Sequence, residues 1–125
     1  EVLSSDLESQ MFVSMAKTGI YPAAVKYLSE LSATLNSLKA NGIEMGNEAL
    51  ARISEMVNAM MAGVAKLSTA LSQHDFPTIE EHMQFCAKTI RPLMDDVRQN
   101  ADMLEGEIAD ELWPFPTYQE MLFIK

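Results

Sequence analysis

The side chains with a capacity for chemistry are few in this chain and gather mainly in one stretch. His74, Asp75, Glu80, Glu81 and His82 cluster around a run of turn signals, and a single cysteine, Cys86, follows four residues after His82. A carboxylate-bridged two-metal site in a helical bundle needs Glu-x-x-His on two helices, so that both ligands leave one face. Neither histidine obeys that rule, since Leu71 stands three residues before His74 and Ile79 three before His82. The acidic groups here are ordinary partners for the positive end of a helix. A lone cysteine excludes a zinc finger. It also excludes an internal disulfide, which fits a reducing compartment. Cys86 lies on an apolar stripe where burial disfavours the thiolate, so it reads as a core residue and not as a nucleophile. Asn41-Gly42 and Met45-Gly46 are a helix stop and a loop, not a phosphate cradle. Ten methionines suggest an adaptable peptide groove, yet Met60 falls in a regular helical stripe with Met56 and Met61 on its shoulders, the pattern of core packing. No catalytic, cofactor-binding or metal-ligating residue is expected among these 125 residues.

Composition narrows the partners. The formal net charge of −9 opposes nucleic acid, which needs a concentrated basic face, and it opposes anionic membrane surfaces for the same Coulombic reason. No apolar run approaches the roughly 18 residues of a membrane span. The longest candidate, Met56 to Ala65, contains Asn58. Glu1 to Asp6 carry neither the basic nor the apolar region of a signal peptide, so a cytoplasmic protein is expected. The chain opens on Glu1-Val2-Leu3 with a helical pattern already running, as a domain cut from a longer protein would.

With 48% hydrophobic residues and only five glycines and five prolines, the chain has room for long elements around one core. A first helix is predicted over residues 3–40. Its second half places Ala24, Leu28, Leu31, Leu35 and Leu38 on one face, and its first half uses Leu3, Leu7, Met11 and Met15. Gly19 and Pro22 lie between the halves and predict a kink. Asn41-Gly42, with Ile43 folding back on Leu38, predicts a Schellman stop. A second helix is predicted over 47–71, where Leu50, Ile53, Val57, Met60, Val64, Leu67 and Leu71 alternate by three and four. Asp75-Phe76-Pro77 is a turn, and Thr78 with Glu81 opens a third helix over 78–112. Its apolar face is Ile79, Met83, Cys86, Ile90, Leu93, Val97, Ala101, Leu104, Ile108 and Leu112, with a kink between Lys88 and Pro92. Short connections favour antiparallel neighbours. The expected fold is all-α, an elongated antiparallel three-helix bundle with kinked first and third helices over residues 1–112, followed by an aromatic, proline-containing C-terminal tail over 113–125.

The tail changes character. Trp113-Pro114-Phe115-Pro116 cannot continue a helix. Four of the chain's nine aromatics, Trp113, Phe115, Tyr118 and Phe123, stand in its last thirteen residues. So much apolar surface predicts docking, on the bundle or on a partner.

Two stretches carry a resemblance. Met15-Ala16-Lys17-Thr18-Gly19-Ile20-Tyr21-Pro22-Ala23-Ala24, running on through Tyr27 and Leu31, resembles a kinked helix just after the catalytic core of type III glutamine synthetases. Ala109-Asp110-Glu111-Leu112-Trp113-Pro114-Phe115-Pro116-Thr117-Tyr118-Gln119-Glu120-Met121-Leu122-Phe123-Ile124 resembles that family's extreme C-terminus, with Gln119 where a basic residue is usual. The resemblance implies the C-terminal helical domain of a large cytoplasmic bacterial-type enzyme that joins ammonia to glutamate using ATP and a divalent metal such as Mg. It implies two stacked hexameric rings, a dodecamer, with this domain contacting the catalytic core of its own polypeptide and neighbouring subunits. The family's nucleotide, metal and glutamate residues lie upstream, so the resemblance assigns no catalytic residue here. The alternative is a free-standing acidic helical adaptor or chaperone that binds a partner helix.

Overall fold

The computed structural model describes residues 2–73, 75–109 and 112, with side chains from Asp6 onward. The described residues are helices and their connections, with no strand among them. They form three long helical stretches. The first runs through α1 (Val2–Met15), a π-helical turn (Ala16–Ile20) and α2 (Tyr21–Ala40). The second is α3 (Glu48–Leu71). The third is α4 (Ile79–Phe85), a second π-helical turn (Cys86–Ile90) and α5 (Arg91–Glu107).

Local chemistry sets most of the ends. Gly42 takes φ +77, and the N–H groups of Ile43 and Gly42 donate to the carbonyls of Leu38 and Lys39 at 2.9 and 3.0 Å. These are the two bonds of the expected Schellman stop. Thr78 is extended and its hydroxyl accepts from the Glu81 N–H at 3.1 Å, the expected N-cap. The third stretch departs from the expected range. It leaves helical geometry after Glu107, where Ile108 takes φ −82 and ψ 141, and does not run on to Leu112. Gly106 weakens the final turn. Ile108 stays in the core by turning extended.

A π-helical turn stands at each place where a proline predicts a kink. Pro22 and Pro92 have no N–H to donate. The residues just before them, Tyr21 and Arg91, donate five residues back, to the carbonyls of Ala16 and Cys86. The extra residue in each turn answers a feature of the core pattern. Ala16, Ile20 and Ala24 are buried at successive steps of four, and so are Cys86, Ile90 and Met94. Repeated steps of four drift around a helix of 3.6 residues per turn. The wider turn takes up that drift and keeps one face inward.

The core is shared by all three stretches. Ile53, Val57, Met60, Val64 and Leu67 from α3 meet Met94, Val97, Ala101 and Leu104 from α5. Gly63 on α3 lies so near α5 that a Cβ there would stand 2.9 Å from Val97 Cγ2. Arg52 pairs with Glu107 and Gly63 faces Val97, so α3 and α5 run antiparallel. Met60 is fully buried, with Met56 and Met61 half-buried beside it, as core packing of the methionines requires.

The first half of the first helix turns its other side inward. Leu7, Met11 and Met15, expected in the core, are exposed, while Ser9, Val13 and Ala16 are buried. Compact side chains on that face let α1 approach its neighbours closely, and the longer chains are left outside. Ile79 and Met83, placed by pattern on the apolar face of the third helix, are likewise exposed, and Met94 is buried beside a half-buried Leu93.

Candidate functional site

The start of α1 meets α4 and the π-helical turn after it, and there the polar side chains converge. Four-residue spacing sets His82 and Cys86 on one side of their helix. Asp6 arrives from α1, its Oδ2 3.2 Å from His82 Nε2 and its Oδ1 accepting from the Cys86 thiol at 3.5 Å. One ligand atom from each of the three residues lies within 4.8 Å of the others. Aromatic rings hold the imidazole. Phe76, from the connection before α4, stacks on His82 at 4.5 Å and 7° between planes, and Phe85 tilts against Phe76 at 5.1 Å. Cys86 is buried, whereas the side chains of Asp6 and His82 keep about a quarter of their surface open, 24% and 28%.

This arrangement does not make a nucleophile. Burial pushes the Cys86 thiol up, and the neighbouring Asp6 carboxylate pushes it further. An attacking cysteine needs the opposite, a thiolate favoured by adjacent positive charge. Here the thiol donates to the Asp6 carboxylate and not to the imidazole. The sequence reading of Cys86 as a core residue agrees with its burial, while the part played by His82 and Asp6 was missed. The spacing of His82 and Cys86 was legible, but nothing local singled out Asp6, 80 residues from Cys86.

Other polar contacts tie helices together. Arg52 donates through Nε and Nη2 to both carboxylate oxygens of Glu107, at 3.1 and 2.9 Å. That bonding raises the guanidinium and lowers the carboxyl, with Arg52 exposed and Glu107 half-buried. Arg98 reaches Glu8 at 3.2 Å and lies 5.7 Å from the centre of the Phe12 ring, joining α5 to α1. The grooves among the described residues carry few ionisable groups, with Lys39 and Glu44 lining the one beside the turn after α2. One of about 620 Å³ between α3 and the third stretch has Lys66 as its single ionisable side chain, among Thr69, Gln73, Phe85, Thr89 and Leu93. No helix among the described residues is long and apolar enough to cross a membrane. His74 and the expected docking residues Trp113, Phe115, Tyr118 and Phe123 lie outside the described residues.

A class follows from these features: among the described residues, helices around an interior of hydrocarbon and sulfur in which Ser9 is also buried, with polar groups spent on caps, interhelical pairs and one mixed cluster. Comparison with known proteins then gives the particular relationship. Over 129 residues, 95% of the chain, it is 31% identical to a glutamine synthetase of Bacteroides fragilis. Over 131 residues, 98% of the chain, it is 26% identical to a type-3 glutamine synthetase of Dictyostelium discoideum. The chain spans only 18% of the length of each relative. No model of a known protein family matches it. The resemblance to type-3 glutamine synthetases is therefore shown along nearly the whole chain, as a match to a segment of those proteins.

Proposed function

We propose that this chain is a non-catalytic C-terminal structural and assembly domain of a glutamine synthetase. The observation that carries the reading is the pairing of two fractions, 95% of the chain against 18% of the relative. A whole enzyme would match along its length, whereas a segment of this share supports a domain serving a larger polypeptide. In this reading the parent cytoplasmic enzyme ligates ammonia to glutamate with ATP and a divalent metal, and the chain itself assigns no residue to nucleotide, metal substrate complex or glutamate. The domain is an elongated three-helix bundle that extends the catalytic subunit and contacts the core and neighbouring subunits of a double-ringed assembly. Exposed Leu7, Met11 and Met15, at four-residue steps on α1, support a face of the bundle meeting the rest of the polypeptide. Trp113, Phe115, Tyr118 and Phe123 are the proposed docking anchors of the tail, since large aromatics dominate interface energetics.

Deleting residues 113–125 from the full-length enzyme tests this. The expected result is a shift in oligomer distribution or melting temperature. Unchanged mass by light scattering together with an unchanged melt overturns it. The 125-residue chain alone is expected to make no glutamine from glutamate, ammonia and ATP, and turnover above a no-protein control would contradict the non-catalytic assignment.

A further inference from the structure

We infer that Asp6, His82 and Cys86 form a three-ligand site for zinc or a divalent transition metal of similar preference, clipping the start of α1 to the start of the third helical stretch. The donor set is the first reason. One carboxylate oxygen, one imidazole nitrogen and one thiolate sulfur suit a borderline-soft cation and do not suit magnesium or calcium, which take oxygen ligands. Spacing is the second. Zinc bonds of about 2.0–2.2 Å to nitrogen or oxygen and about 2.3 Å to sulfur, at tetrahedral angles, set neighbouring ligand atoms roughly 3.3 to 3.6 Å apart. Asp6 turns one oxygen to each partner, Oδ2 3.2 Å from His82 Nε2 and Oδ1 3.5 Å from Cys86 Sγ, and one ligand atom from each of the three residues lies within 4.8 Å of the others. Loading asks the carboxylate to turn one oxygen toward the ion and the three ligand atoms to draw in from within 4.8 Å to that spacing, and the thiol proton now held by Asp6 leaves to solvent as the metal–sulfur bond forms.

Support and access complete the case. The nearly parallel stack of Phe76 on His82 fixes the plane of the imidazole, with Nε2 3.2 Å from Asp6 Oδ2. Ring orientation of this kind is what outer partners of metal-bound histidines provide. Cys86 closes the site from the core side, and the open surface on Asp6 and His82 leaves room for a water as fourth ligand. The site joins residues 80 apart in sequence, so loading it would restrain the fold at its most polar contact. The inference stands on these side chains alone and is independent of the ligase reading.

Cobalt(II) substitution in the full chain, freed of metal by chelation, is the test. Titration is expected to produce a near-ultraviolet thiolate-to-cobalt charge-transfer band that saturates at one equivalent and is displaced by zinc. Cys86→Ser should abolish the band. His82→Gln and Asp6→Asn should keep the fold by circular dichroism and weaken cobalt binding at least about tenfold, in line with the cost of disturbing a metal shell. Carboxylate-only sites for magnesium elsewhere in a larger polypeptide give no such band, which keeps the result separate from the ligase assignment. A missing band overturns the inference. So does a band whose strength and affinity are unchanged in His82→Gln and Asp6→Asn, or one that saturates at half an equivalent, because both describe a thiol bridging molecules.

Discussion

The seam between α3 and α5 joins the second helical stretch to the third, and the contact between α1 and α4 joins the first to the third, by opposite means. The seam is apolar: Val57, Met60, Val64 and Leu67 face Val97, Ala101 and Leu104, and Gly63 removes even a methyl group where the Val97 side chain comes close. The α1–α4 contact is polar and aromatic, built from Asp6, His82, Cys86 and Phe76, with exposed Leu7, Ile79 and Met83 around it. Apolar burial is non-directional and proportional to area, so the seam supplies stability. Hydrogen-bonded groups of fixed geometry supply specificity, and here a set of ligand atoms. One region holds the protein together and the other gives it something to recognise.

Cutting into the seam should have the largest effect. Leu67→Ala, at a fully buried position, is expected to cost about 2–5 kcal/mol, a loss of roughly ten degrees or more in melting temperature by calorimetry. A drop of a degree or two would mean the seam does not carry the fold. Overpacking comes next. Gly63→Leu forces its side chain against Val97 and Asp96 and should destabilise by about 1–3 kcal/mol in denaturant melts, since the stiff β-branched Val97 gives way poorly.

The α1–α4 contact should respond less in stability and more in chemistry. Thr78→Ala removes the cap of α4 and should cost about 1 kcal/mol. Asp6→Asn removes the nearby charge that pushes the Cys86 thiol up, so alkylation of Cys86 at neutral pH should speed up, while burial keeps it slower than in an unfolded control. The sign for stability follows from the same shift. A thiol raised in the folded state contributes fully below its unfolded value, and that contribution is lost as pH rises through the folded value. Melting temperature should therefore fall on the alkaline side, and Cys86→Ser should flatten part of that fall. Smallest of all is Arg52→Ala at the exposed end of the seam, where solvent screens the pair and no resolvable change in melting temperature is expected.

Much of this architecture was legible before any coordinates. Strict alternation by three and four announced α3, and Asn41-Gly42 and Thr78 with Glu81 marked a stop and a start. The two π-helical turns were half legible. Pro22 and Pro92 marked the places, but the signal for a widened turn was the run of four-residue steps through Ala16, Ile20 and Ala24, and through Cys86, Ile90 and Met94. The apolar pattern names Leu93 and omits Met94, and so conceals the second run. Along α1 the choice between two faces went to the larger apolar residues, Leu7, Met11 and Met15, although close approach favoured the compact face of Ser9, Val13 and Ala16.

The sequence by itself determined that this protein is helical, where its first two helical stretches stop, and which proteins it resembles, because periodicity, capping and motif are local properties of a chain. Only the tertiary structure decided which face of α1 turns inward and which polar groups meet. Asp6 comes to His82 and Cys86 by the path of two intervening connections. No local pattern carries that path, since it is set by how three helices share one core.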